Sequence, residues 1–474
     1  MVEKITQKES VLKIVACVLK WLLIVLASVV ILVLACWWLL PDEALLPEAE
    51  KLLTARGAPP AVRNGYFLLW GMRASPGQDA HAVGQIIVAE HDKLIAAGGD
   101  LANFKAESFL GPTPLLTASL GQRLCDIEKQ KCLAVYQGAR TQIETDLDRH
   151  KVYLERYRAL RSYPEFAEVM SFTSTSPMPE FVPVTRMSDL ADAAIAIQVA
   201  SPETREAAVN ELAAEIALWK RLLRDSDMLL TQMVSVALLQ RKYRLASEIM
   251  NTYPEALRDY PARMAELTQP LPLRDATLVR ALRGEFRFAA SSYRNIKSMG
   301  QIPGADDASG IGKLVDAFSL AGSYRPNATI NRAYGMYQEN AKLYAQPPKE
   351  VLAGHAQLKE RHNDIDAWTP DTIVYNPTGK VLTGIAAADF STYAFRLHDL
   401  AGLSRLIDIQ RRVAEGSLSS ERMTEFLASL DADQKDPYTG KPMEWNAKDR
   451  TISFAGHGNR FLKDGRMQVE VGGK

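Results

Sequence analysis

Residues 21 to 40 read WLLIVLASVVILVLACWWLL, and this stretch decides the architecture. It carries no charge, and 20 helical residues at about 1.5 Å each match a hydrocarbon layer roughly 30 Å thick. Trp21 stands at one end and Trp37 with Trp38 at the other, where indole rings favour the headgroup level. A core helix of a soluble domain has no need of such ends, and Pro41 closes the run.

Two export signals compete with this reading. A cleaved signal peptide has an apolar region of about 7 to 15 residues and a small-x-small cleavage site. The run here is longer, and no such site precedes Pro41. Val33-Leu34-Ala35-Cys36 loosely matches a lipobox, but Trp37 and Trp38 are wrong for a polar mature start. Lys4, Lys8, Lys13 and Lys20 precede the span, while Asp42, Glu43, Glu48 and Glu50 follow it. The basic flank should stay inside the cell. We therefore expect a cytoplasmic tail over 1–20, a single-pass transmembrane helix over 21–40, and an exported body from residue 41.

The body is large enough for more than one core, since the chain has 474 residues. Hydrophobic residues at 47% and charged residues at 24% are ordinary globular values, which excludes wholesale disorder. Lys plus Arg and Asp plus Glu are 56 each, so no global field gathers phosphates, and we expect no nucleic-acid partner.

Periodicity makes the fold mainly α: a transmembrane helix, then an irregular helical bundle or short α-solenoid, then a small carboxy-terminal antiparallel β module. Pro41 to Pro60 reads as a short stalk or first helix. From Val135 to Tyr163, Ile143, Leu147, Leu154, Tyr157 and Leu160 recur helically, and Pro164 ends the run. Residues 171–185 carry three prolines among hydroxyl residues, which predicts a boundary between a first helical region, 41–175, and a second, 176–430. Ser201-Pro202-Glu203 suits a helix start. Val209, Leu212, Ile216, Trp219 and Leu223 form one stripe, Leu230, Met233, Val234 and Ala237 a second, and Asp225-Ser226-Asp227 between them predicts a helical hairpin. Residues 299–330 and WTPDTIVYNPTGKVL, 368–382, read as loops. In 431–474, alternating residues around Asn446 to Asp449 and around Lys463-Asp464-Gly465 predict two β-hairpins.

Of four cysteines, Cys17 and Cys36 lie in or beside the span. Cys125 and Cys132, in CDIEKQKC, would stand about 10 Å apart on one continuous helix, beyond disulfide reach. The polar run Asp126 to Lys131 can turn, and an exported location lets disulfides persist, so we expect Cys125 to bond Cys132.

The sequence assigns no catalytic, cofactor or metal residue. The densest ligand cluster is HAQLKERHNDID, with His355, Glu360, His362, Asp364 and Asp366, but the two histidines stand two turns apart rather than on adjacent turns. We read it as a solvated helix end. Ser309-Gly310-Ile311-Gly312-Lys313 partly matches a phosphate loop, yet Ala308 replaces the required glycine and Leu314 follows the lysine. The only S-x-x-K is Ser10 with Lys13, and G-x-S-x-G is absent. Arg156, Arg158 and Arg161 interleave with Tyr153, Tyr157 and Tyr163, as an anionic polymer would require, but Tyr157 belongs to the apolar stripe and an amphipathic helix is the reading.

Three stretches carry a resemblance: NGYFLLWGMRASPGQDAHAVG; the Cys125 and Cys132 pair with YLERYRALRSYPEF; and YNPTGKVLTGIAAADFSTYAFRLHDLAGLSRLIDIQ. Together they resemble single-pass membrane-anchored, mostly helical proteins of Gram-negative bacteria, which implies a bacterial inner membrane and a periplasmic body. DPYTGKPMEW, 436–445, with the hairpin after it, is similar to the closing module of type II secretion major pseudopilins. That module is associated with calcium there, for which Asp436, Glu444, Asp449 and Asp464 are the carboxylates here. The pseudopilin processing site, a Gly before a hydrophobic stretch with Glu at its fifth position, is missing. The expected function is a membrane-anchored periplasmic scaffold or adaptor, without cofactor, whose partners are the membrane and a protein of the periplasm or inner membrane. The alternatives are a cell-envelope hydrolase, metal-dependent through His355 and His362, and an accessory component of an export system.

Overall fold

The computed structural model describes residues 2–54, 59–99, 104–111, 124–126, 130–171, 173, 176–299, 322–366, 368–386, 389–458 and 465–472. It is mainly helical, with one three-stranded antiparallel sheet near the carboxy terminus. The chain forms two compact units: Met1–Leu53 with Ala289–Met336 and Lys359–Ala388, and Thr54–Phe288 with Tyr337–Leu358 and Asp389–Lys474.

In the first unit, helix Val2–Leu39 contains Ile14–Leu39, whose 26 residues are long and apolar enough to cross a membrane and are unburied. This stretch takes in Lys20, whose long stem can carry its ammonium toward an interface. The helix ends in a fixed junction. Arg325 donates to the terminal carbonyls, from Nη2 to Leu40 O at 2.7 Å and also to Trp37 O, satisfying acceptors that a helix end leaves open. In return, the Asp42 carboxylate accepts from Asn327 N at 2.9 Å and Ala328 N at 3.1 Å, capping helix Pro326–Tyr344. Asn331 holds Leu46 N and Ala44 O, so residues 42–46 lie against that helix, and Pro47–Leu53 forms the short first helix, the alternative expected for this segment.

The segment 368–382 is not a loop. Pro370 and Pro377 each occupy the first turn of a helix, Pro370–Val374 and Pro377–Ala386, where a missing N–H costs nothing. Asn376, at φ 59°, makes the reversal between them and caps the second helix by accepting from Gly379 N. Residues 300–321 of the other expected loop lie outside the described residues.

In the second unit the predicted hairpin is present as Pro202–Asp225 and Leu229–Thr252. Helix Phe181–Gln198 is buried along most of its length, and its small residues Ala191, Ala193, Ala194 and Ala196 admit neighbours on all sides. It packs against Cys132–Gly138, Arg140–Arg149 and Lys151–Ala159 on one hand and against the hairpin on the other. Residues on both sides of the boundary expected at 175 share one core, because the proline-rich stretch leads into the helix that joins them. The continuous helix expected over 135–163 breaks at Ala139 and His150 into three short ones.

Helix Ser391–Glu415 packs beside Leu229–Thr252 and carries the sheet. Strands β1 Glu444–Asn446, β2 Thr451–Ala455 and β3 Arg466–Glu470 pair in order, with Trp445 opposite Ile452 and Ile452 opposite Val469. The first expected hairpin is β1 with β2, and β3 extends it into a meander; the expected strand Arg460 to Leu462 lies outside the described residues. Residues 459–464, including Asp464, lie outside the described residues.

Cys125 and Cys132 form the expected disulfide, with α-carbons 5.6 Å apart. Gln130 N bonds Asp126 O within the turn, and Glu248 caps the helix that Cys132 opens, accepting from Cys132 N at 3.2 Å and Leu133 N at 2.7 Å.

Candidate functional site

Two polar constellations stand out in the second unit, and one of them lines a cavity. Gly71 and Gly84 let helices Tyr66–Trp70 and Ala80–Ala96 cross at backbone contact: a Cβ on Gly84 would meet Phe67 O at 1.7 Å, and one on Gly71 would meet Ala80 O at 1.7 Å. The chain leaving the first helix carries Arg73, which is 6% exposed, into the wall of a cavity of about 260 Å³. Leu69, Trp70, Met72, Phe104 and Met178 supply its apolar lining.

Arg73 engages Glu107 through both terminal nitrogens, at 3.0 and 2.9 Å, and Glu180 at 2.5 Å. With Lys105 also lining the cavity, two cations stand against two acids there. The two acids differ. Hydrogen bonding from Arg73, and then from Glu180, holds Glu107 below the usual carboxylate range. Burial, reinforced by the adjoining Glu107, pushes Glu180 upward. Separated pKa values can mark an acid and base pair. Glycoside hydrolysis, however, needs carboxyl groups roughly 5 to 9.5 Å apart. Here both acids are bonded to one another and to the same guanidinium, so the arrangement suits binding better than turnover.

The second constellation is buried in the core. Lys242, fully buried, reaches Asp192 at 2.5 Å, Ser188 Oγ at 2.8 Å and Glu215 at 3.0 Å. Tyr157 donates to Glu215 and accepts from Trp219 Nε1 at 3.0 Å. Arg161 bridges Glu215 and Glu211, and Arg241 meets Asp189 at 3.0 Å. Burial alone would discharge Lys242, but Asp192 and Glu215 raise its pKa above the ordinary value. This is a charge-balanced strut of the core.

The residues singled out in the sequence are scattered. Arg156 spends its guanidinium on Met72 O, Ala74 O and Ser75 O, while Arg158 and Arg161 bind Glu211, so the basic and tyrosine run faces inward. His355 bonds Leu352 O at 2.7 Å and meets Phe395 edge-on. The side chains of Asp364 and Asp366, and the whole of 309–313, are outside the described residues. No group of three or more His, Cys, Asp or Glu that could hold a metal ion occurs among the described residues. Asp436 is used by its own turn, accepting from Tyr438 N at 2.8 Å and from Thr439 Oγ1 at 2.8 Å, and Glu444 pairs with Arg466. Arg73, Glu107 and Glu180 escape sequence reading because nothing in GMRAS, KAESF or MPEF links them. Family models, curated proteins and solved structures yielded no match to the chain.

Proposed function

We propose that this protein is a single-pass, membrane-anchored scaffold or adaptor of the Gram-negative inner membrane, with its body in the periplasm. The observation that carries the reading is the Arg73 cavity. It offers an apolar hollow whose Arg73, Glu107 and Glu180 are locked together rather than poised around a reacting atom. A volume of about 260 Å³ accepts one large apolar side chain of a partner.

A photo-crosslinker at Met178, which is 42% exposed at the rim, tests the proposal in intact cells. One discrete protein adduct is expected, weakened when Arg73→Ala releases both carboxylates. If the labelled chain is recovered only as a monomer, and mild-detergent purification returns it without a stoichiometric companion, the adaptor reading fails.

A further inference from the structure

Helix Pro377–Ala386 is inside out for a surface helix in water. Its inner side carries polar residues: Asn376 just before it, then Lys380 and Thr383, are 8%, 3% and 2% exposed. Asn376 donates to Thr329 Oγ1 at 3.0 Å and accepts from Arg325 N at 2.9 Å, and Thr383 donates to Gly379 O. The outer side is apolar. Val381 and Ile385, one turn apart, are 47% and 79% exposed, and Ile373 and Trp368 just upstream are 46% and 56% exposed. A helix facing water shows the opposite arrangement. Scattered apolar residues need no explanation, but four within 18 residues, three on adjoining helices and Trp368 just before them, make a patch.

Its position identifies what covers it. Trp37, one of the indoles that end the apolar span, donates from Nε1 to Ile373 O at 3.0 Å. Tyr375 donates to Pro41 O at 3.2 Å, and Trp38 is itself half exposed. The patch is thus continuous with the end of the anchor, at the depth where tryptophan prefers the headgroup region. The ammonium of Lys380 lies 5.3 Å from the Trp368 ring, a pairing of cation and indole suited to that layer. Ten residues of helix extend about 15 Å, enough to lie in the interface plane beside the anchor.

We infer that Trp368, Ile373, Val381 and Ile385 form a membrane-facing collar, in which helix Pro377–Ala386 rests its apolar side in the headgroup and acyl boundary of the bilayer that Ile14–Leu39 crosses. The inference rests on the anchor reading and adds a second, monotopic contact. It makes the first unit a fitting seated on the membrane surface, with the anchor as its pin.

The full chain in phosphatidylcholine nanodiscs, with Cys17→Ser and Cys36→Ser, tests it through a fluorescent label at one introduced cysteine. Ile385→Cys is a safe site because that side chain is exposed; Lys93→Cys reports water and Leu26→Cys the bilayer centre. Label at 385 is expected to be quenched several-fold more by lipid spin-labelled near the headgroup than label at 93, and several-fold less by iodide. Iodide quenching at 385 equal to that at 93 overturns the collar, and so does shielding from both quenchers, which would mean that protein covers the patch. Label at 26 separates the two claims. If deep spin-labelled lipid quenches 26 but shallow lipid leaves 385 untouched, only the collar fails; if 26 is open to iodide, the anchor reading fails with it.

Discussion

Single side chains set the chemistry of the second unit's interior. Lys242 pairs with two buried carboxylates, Asp192 and Glu215, so Lys242→Met should cost about 3 to 5 kcal/mol, read as a fall in the denaturation midpoint. Glu168 behaves in the opposite sense. Its carboxyl accepts from Ser226 Oγ, Thr231 Oγ1 and Asp227 N, yet burial lifts its pKa to about 7. A carboxyl raised in the folded state binds its proton more tightly there than in the unfolded chain, so stability declines as pH climbs from about 4.5 to about 7. Whatever constant offset Glu168→Gln introduces, the stability difference from wild type should shift toward the variant across that window, by up to roughly 3 kcal/mol. A flat difference profile in thermal melts would refute this. His398 runs the other way: burial, then Arg405, pushes its pKa down to about 4. Its neutral form is favoured on folding, and that contribution is lost as pH falls from about 6.5 toward 4. None of this was legible in the sequence, where Lys242 in RKYR looks like any solvated cation and Glu168 like any surface acid.

Among the elements, those with long uninterrupted stripes were readable. The hairpin of Pro202–Asp225 and Leu229–Thr252 was clear because Val209 to Leu223 and Leu230 to Ala237 repeat at helical spacing on either side of a polar break. Elements defined by backbone approach were not. Nothing in NGYFLLWGMRASPG announces that Gly71 and Gly84 form a crossing, and Gly84→Ala should cost about 3 kcal/mol or more, because the added methyl meets rigid backbone. Soluble yield and thermal midpoint both report it. Proline misled the reading of 368–382, since the same residue breaks a helix in its interior and starts one at its first turn. The anchor junction was hidden because Arg325 lies 285 residues from the carbonyl it caps. Arg325→Ala should open residues 41–46 to protease in detergent while the melting of the second unit changes little; unchanged cleavage would show that the junction holds without it.

For the molecule as a whole, the sheet ties distant parts of the second unit together, while the disulfide closes a local turn. Reducing Cys125–Cys132 should lower stability by about 2 to 3 kcal/mol on the loop-entropy account, seen as a lower thermal midpoint under reductant and no change in a Cys125→Ser/Cys132→Ser variant. The broad architecture was readable from hydropathy and periodicity, while the grouping into units was not, because a proline-rich stretch looks the same whether it divides two cores or crosses one. Strand β3 is the last piece of this assembly. Gln410 and Asn251 each reach Glu470 O at 3.0 Å, and Lys131 reaches the Glu470 carboxylate at 2.6 Å. Synthesis delivers those partners in sequence, so a ribosome must make more than 330 residues after Lys131 before it finds its counterpart. Helices emerging early must wait half-finished, which puts a premium on chaperones, and a message truncated before codon 466 would yield a product that quality-control proteases recognise at once.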